Sequence, residues 1–350
     1  MTDSHIKFSV HDPDHELARV RLAQEVARPR LGPDFVRFPS RAGWELLLPR
    51  PEADRMEYQL EISGGDGDAE FVTDPANPLR APGPFGDKSV VEMPEYVPPA
   101  WVGSGPEVRG NVSAVEIRSR ALRARLRANL WSAPGSDPAA PLPLLVVHDG
   151  SDYANYSGLV HLLDFCAAHE ELPPMRAALL DPVDRNQIYS ASATYAGALA
   201  HDLLPQLAEL APTPHGRSAR VGMGASLGAL AMLHAHRRTP ALFGGLFLQS
   251  GSFFRPRLDR YEESFVRFRR IARFTGELTG RQPENAHPIS ITMTCGSAEE
   301  NLANNELTRD ALRAQGYTVT FVEHRDAHNW ISWRDVLHPH LVDLLRGLWS

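Results

Sequence analysis

Residues 219–233 constrain this chain more than any other stretch. Ala219-Arg220-Val221-Gly222-Met223 reads as a buried strand, Gly224-Ala225-Ser226-Leu227-Gly228 follows it directly, and Ala229-Leu230-Ala231-Met232-Leu233 reads as a helix. A chain that passes from strand to helix so abruptly forces its middle residue, Ser226, into strained dihedrals. Only small side chains at 224 and 228 let the neighbouring backbone pass. A bare Gly-x-Ser-x-Gly match is weak, but one set between a strand and a helix presents a hydroxyl at the end of a sheet.

The surroundings supply that sheet. Buried-type strands are expected at Pro143–His148, Ala177–Leu180, Ala219–Met223, Gly244–Gln249, Ile289–Thr294 and Thr318–Glu323. Helical stretches lie near 158–169, 192–210, 227–238, 260–275, 303–315 and 333–348. Strand alternating with helix calls for a mostly parallel sheet covered on both faces. Ahead of it, Val112–Ser119 and Leu122–Trp131 alternate apolar residues with Arg or Glu, the pattern of an antiparallel hairpin with one wet face. The five arginines between 118 and 127 belong on that face. A hairpin entering such a sheet is the α/β-hydrolase arrangement.

The first third of the chain is different. Short apolar-polar runs at 35–38, 44–48, 56–62 and 70–73, separated by turns such as Gly64-Gly65-Asp66-Gly67-Asp68, suggest a small all-β, immunoglobulin-like sandwich. Asp74-Pro75-Ala76-Asn77-Pro78, Pro82-Gly83-Pro84 and Pro98-Pro99-Ala100-Trp101 then form a stiff connector, because each proline fixes its own φ and restricts its predecessor. The expected division is an amino-terminal extension at 1–30, a sandwich with connector at 31–101, and an α/β-hydrolase catalytic domain at 102–350. Trp44, Tyr58 and Tyr96 are expected in the core of the sandwich or at its interface.

Hydrophobic residues make up 43% of the 350 and charged residues 23%, as in a folded soluble protein. Arginine supplies 34 of the 36 basic residues, but these are interspersed with 43 acids for a net charge of -7, so no nucleic-acid partner is expected. Cys166 and Cys295 cannot build a four-thiolate zinc site, and a reducing compartment is expected. The polar segment 1–14 does not read as a secretory signal, and no run reaches the roughly 20 apolar residues of a membrane span. The expectation is a cytoplasmic protein with no membrane partner; its oligomeric state is not legible.

A serine hydroxyl needs a base to activate it and a carboxylate to orient that base. The strand at 289–294 leads into Cys295-Gly296-Ser297-Ala298-Glu299-Glu300, where a carboxylate three residues past a strand-ending glycine is the expected acid. Glu299 comes first and Glu300 is held in reserve. His328, just past the strand at 318–323, stands where the base belongs. His324 comes too early, and His338 and His340 are expected to face solvent beside the last helix. His234/His236 and His338/His340 are spaced by two, which sends them to different sides of a helix, so neither a metal nor any other cofactor is expected. Two N–H donors would hold the oxyanion: that of Leu227, and that of Ser151 in the loop His148-Asp149-Gly150-Ser151-Asp152. Asp149, Asp152, Arg185 and Trp330 are candidates for lining the substrate pocket.

Taken together these residues resemble the enterochelin (ferric enterobactin) esterase family and its neighbours, the esterase D and mycolyltransferase-like α/β-hydrolases. The resemblance runs over most of the chain. It takes in the proline-rich connector, the strand ending in Asp149-Gly150, Asp184-Arg185-Asn186 with Leu203-Leu204-Pro205, the turn at Ser226, Gly296 to Glu299, and His328 to Trp333-Arg334. It implies Ser226 as nucleophile, His328 as base and an acid in the 299–300 region. The implied activity is a serine carboxylic-ester hydrolase working through an acyl-enzyme on siderophore-like or other bulky esters. The alternative is an acyltransferase of the mycolyltransferase type that passes the acyl group to an alcohol. The chain departs from the siderophore esterase pattern at Ile188, where those enzymes tend to carry a Glu three residues after the loop arginine.

Overall fold

A computed structural model describes residues 4–26, 30–38, 42–65, 67–105, 108–280 and 286–349; Asp66 of the expected turn lies outside them. The chain divides into two compact units. One comprises Met1–Val97 together with Gly296–Glu299 and Arg325–Ser332, and the other holds Pro98–Cys295, Glu300–His324 and Trp333–Ser350.

The first unit is built on two antiparallel sheets. Its strands are β1 (His5–His11), β2 (Leu17–Gln24), β3 (Leu31–Asp34), β4 (Val36–Phe38), β5 (Gly43–Pro49), β6 (Arg55–Gly64), β7 (Glu70–Val72), β8 (Arg80–Ala81) and β9 (Lys88–Glu92). One sheet has the order β1-β5-β4, the other β3-β2-β6-β9-β8 with β7 paired to β6. The segment expected as an extension thus supplies two strands. Its signal was present, because Ile6, Phe8 and Val10 alternate with polar residues and stand opposite Leu48, Leu46 and Trp44 of β5. Ile6, Phe8, Val20, Leu22, Trp44, Met56, Tyr58 and Leu60 form the core between the sheets. Two of its aromatics keep their polar ends satisfied: Trp44 donates to Asp12 at 3.0 Å and Tyr58 to Asp74 at 2.7 Å.

The second unit carries an eight-stranded sheet. Its strands are β10 (Asn111–Ser119), β11 (Ala124–Ser132), β12 (Leu144–His148), β13 (Arg176–Leu180), β14 (Arg220–Ala225), β15 (Gly245–Gln249), β16 (Ser290–Gly296) and β17 (Thr318–His324), in the order β10-β11-β13-β12-β14-β15-β16-β17. β10 and β11 form the antiparallel hairpin, all five of its arginines exposed. From β13 through β16 the neighbours run parallel. Every residue of β12, β13 and β15 is buried, as required of strands covered on both faces. Each fully buried Leu or Val here contributes roughly 1.5–3 kcal/mol.

The helices are α1 (Gly150–Tyr156), α2 (Leu159–Ala168), α3 (Arg185–Ile188), α4 (Ala193–Ala198), α5 (Leu204–Leu210), α6 (Leu227–Arg238), α7 (Phe268–Thr279), α8 (Leu302–Ala314), α9 (Trp330–Asp335) and α10 (His340–Trp349). The expected helix at 192–210 is one axis with a wider π turn at Leu199–Leu203 between α4 and α5. The expected helix at 333–348 is two, because Pro339 cannot donate an N–H to continue α9. None of the described helices is long and apolar enough to cross a membrane.

Candidate active site

The turn after β14 has the form its sequence requires. Ser226 sits at φ 56°, ψ -123°, a conformation that costs a non-glycine residue of order 1–3 kcal/mol. Surrounding bonds hold it there. Its N–H donates to Gln249 of β15 at 2.8 Å, and its carbonyl accepts from Leu230 in α6 at 3.2 Å and from Ser252 at 3.1 Å. A Cβ on Gly224 would lie 2.5 Å from the Gly228 carbonyl carbon, and one on Gly228 would lie 3.2 Å from both Asp149 Oδ2 and His148 Cβ. Leu227 opens α6, so its N–H is among the first-turn donors that no intrahelical carbonyl takes.

The Ser226 hydroxyl is partly exposed among buried neighbours and lies 3.1 Å from the hydroxyl of Ser252. Sequence reasoning missed Ser252, although the small-residue run Ser250-Gly251-Ser252 directly after β15 could have marked it. Asn305 in α8 fixes that run, accepting from the Gly251 N–H and donating to its carbonyl, both at 2.9 Å.

Glu299 and His328 come together on the other unit. β16 ends at Gly296, whose missing side chain matters because a Cβ there would overlap the Asp326 carbonyl. Glu299 is three residues on, its side chain fully enclosed. Its Oε1 accepts from the Gly296 N–H at 2.8 Å and its Oε2 accepts from His328 Nδ1 at 2.8 Å. The carboxylate thereby selects the tautomer with the proton on Nδ1. Glu299, the first of the two expected acids, meets the histidine. Trp330, which opens α9, is half-buried. His338, expected to face solvent, instead pairs with Glu171 at 2.8 Å, and His340 is half-buried.

The loop after β12 corrects one expectation. Ser151 N–H donates to Asp181 Oδ1 at 2.9 Å and its hydroxyl to Asp181 Oδ2 at 2.6 Å, so that amide is already committed to a carboxylate and is not an oxyanion donor in this arrangement. Asp149 and Arg185, two of the expected pocket residues, satisfy each other: Nε reaches the carboxylate at 2.9 and 3.0 Å and Nη2 at 2.9 Å. Asp149 stands at left-handed dihedrals (φ 53°, ψ 43°). Burial pushes its carboxyl up and the Arg185 charge pulls it back. Asp152 is partly buried; burial first and the nearby Asp149 charge second raise its pKa.

His148 is a further residue that sequence reasoning did not assign. Burial drives its pKa down to about 3, so it is neutral. Its Nδ1–H donates to the Gly228 carbonyl (3.0 Å), its Nε2 accepts from the Tyr195 hydroxyl (2.7 Å), and its ring stacks on Tyr189. The imidazole thus braces the start of α6. Among the described residues no group of three or more His, Cys, Asp or Glu side chains gathers to hold a metal ion.

Residues 119–344 match the family described as Putative esterase. The iron(III) enterobactin esterase of Dickeya dadantii (strain 3937) is 29% identical over 283 residues, covering 78% of this chain. The chain spans 65% of the length of that relative. The iron(III) enterobactin esterase of Escherichia coli (strain K12) is 26% identical over 319 residues, 89% of this chain and 72% of its own. In fold, the chain is similar to a crystal structure of the enterobactin esterase from Shigella flexneri in the presence of enterobactin, with a TM-score of 0.78 and 21% identity over 99% of this chain and 95% of that one. With well over half of its length inside the matched family, the chain belongs to the putative esterases.

Proposed function

We propose that the protein is a serine carboxylic-ester hydrolase. The observation that carries the reading is the Glu299–His328 hydrogen bond, because a buried carboxylate on Nδ1 is what a histidine needs to act as a base through Nε2. The strained Ser226 and the chain order serine, acid, histidine support it. Nε2 takes the proton as Ser226 Oγ attacks the ester carbonyl, Glu299 stabilises the imidazolium, and Leu227 N–H donates to the oxyanion. The imidazolium then protonates the leaving alcohol. Water, deprotonated by the same histidine, releases the acid and restores Ser226.

The substrate class we infer is a bulky ester of the siderophore type. The support is the kinship with enterobactin esterases. Ile188, where the siderophore esterase pattern tends to carry a Glu, is buried in the apolar core, so that position brings no carboxylate to the site.

The test uses p-nitrophenyl acyl esters and catechol esters, with and without an alcohol acceptor. Free acid as the product and an organophosphonate adduct on Ser226 are expected, with Ser226→Ala reducing kcat by ~10⁴-fold or more. Ester product outweighing free acid would replace hydrolysis by acyl transfer. Undiminished turnover in Ser226→Ala would overturn the mechanism.

A further inference from the structure

Alternation along β6 turns Met56, Tyr58 and Leu60 into the sandwich core, so Arg55 and Glu57 belong to the opposite face, which in a free sandwich is wet. Both are nevertheless buried, Arg55 to 3% exposure and Glu57 to 9%. Arg55 Nη1 lies 3.6 Å from Asp326 Oδ2 and 3.7 Å from Glu57 Oε1, and the guanidinium lies over the Tyr96 ring. Its Nε and Nη1 have no hydrogen-bond partner among the described residues. A buried cation so incompletely satisfied is poor value for stability alone, since an apolar side chain of similar volume would serve as well. Its place in the structure calls for another reason.

The other end of that ion pair supplies one. Asp326 Oδ1 accepts from Ala327 N–H at 2.7 Å and from Asn329 Nδ2 at 3.0 Å, and Asn329 Oδ1 accepts from Ser332 N–H at 2.8 Å. These bonds clamp the turn on both sides of His328. The Asp326 carbonyl accepts from Ala298 N–H at 3.2 Å, which ties the turn to the residue just before Glu299. The neighbouring position is anchored in the same way: Asp54 N–H donates to the Arg325 carbonyl at 2.7 Å, and the two side chains pair at 2.9 Å. Ile331 completes the attachment in an apolar cluster with Ala81 and Val90.

We propose that Arg55 is a positioning residue for His328: it fixes the Asp326 carboxylate, and that carboxylate holds the turn on which the imidazole stands. The proposal rests on the reading of His328 as the catalytic base. The charged groups gathered on this face are Arg55, Glu57 and Asp326, with Lys88 paired to Glu57 at 3.7 Å and to Glu25 at 2.9 Å. Burial raises the Asp326 pKa to about 7, and the Arg55 charge is the largest influence pulling it down. Without that charge Asp326 keeps its proton to higher pH.

The experiment compares full-length Arg55→Met, Arg55→Lys and Asp326→Asn with the parent on p-nitrophenyl butyrate across pH, with phosphonate labelling of Ser226 in parallel. Arg55→Met is expected to lower kcat by ~10- to 100-fold with little change in KM, because a misplaced base loses rate and not binding. Its acid limb of kcat/KM moves to higher pH, its labelling rate falls in step, and Arg55→Lys recovers part of the loss. A folded Arg55→Met with unaltered kcat and acid limb overturns the proposal. If Arg55→Met does not fold, Asp326→Asn decides, since it keeps the Oδ1 acceptor and removes the charge: a changed kcat and pH profile supports the proposal and an unchanged one overturns it. Ser226→Ala and His328→Ala run alongside. Turnover surviving in them sinks the assignment of the site itself, whereas their inactivity beside a fully active Arg55→Met sinks only the positioning role.

Discussion

Glu299 accepts from His328 Nδ1 with one carboxylate oxygen and from the Gly296 amide with the other, both at 2.8 Å. The amide fixes the carboxylate and the carboxylate fixes the ring. Glu299→Gln preserves the shape but offers an amide whose rotation can present N–H to Nδ1 and so favour the wrong tautomer. Its kcat is expected to fall by ~10³- to 10⁴-fold. Glu300→Ala is expected to match the parent within the scatter of the assay. Steady-state kinetics on a small ester separates the two, and a loss confined to Glu300→Ala would reverse the assignment.

Gly224→Ala places a methyl group 2.5 Å from backbone at Gly228, where no flexible side chain can yield. Forcing the start of α6 away from β14 is expected to cost ~1–3 kcal/mol or more and to disturb Ser226 at the same time. Thermal melts and phosphonate labelling should fall together. A variant with the parent's melting temperature would show that the turn has more room than its geometry indicates.

Arg185→Met leaves the Asp149 carboxylate, almost wholly enclosed, without its partner. Breaking a buried pair on one side costs ~3–5 kcal/mol, and the lower end applies here because Arg185 is about one-third exposed. Asp149→Asn in the same background should return part of the loss. Urea denaturation of the two variants and the double variant measures the coupling, and simple additivity would rule it out.

Asp326 also leaves a mark on stability against pH. Burial raises its folded pKa from 3.8 to about 7, so between those values the folded chain holds a proton that the unfolded chain releases. This group's contribution is therefore fully present below about 3.8 and is lost as pH rises to about 7. Asp326→Asn should flatten the fall in stability across that window. Urea midpoints measured between pH 4.5 and 8 test it, and a variant with the parent's slope would assign the effect to another group.

Legibility in the sequence followed the range of the forces involved. The Ser226 turn was readable because its steric demand is settled within five residues by Gly224 and Gly228. The parallel sheet was readable because strands covered on both faces must be apolar throughout. The fate of the Ser151 amide was not, since its acceptor, Asp181, lies 30 residues away on another strand's end. The choice between Glu299 and Glu300 likewise needed the direction of each side chain, which spacing alone does not give. β1 was passed over because polar residues dominate the first fifteen positions, although the alternation of Ile6, Phe8 and Val10 was there to be read. Arg55, next to the expected strand at 56–62, carries no sequence signal that sets it apart. Only the return of residues 325–332 to the sandwich unit makes it something else.

That return has a practical consequence for anyone redesigning the protein. Residues 325–332 are separated by more than two hundred positions from the strands they join, so the amino-terminal third is no detachable accessory. A shortened version beginning at the connector would lack the scaffold under its imidazole, and a chimera that borrows a sandwich from a relative would need that relative's histidine turn as well.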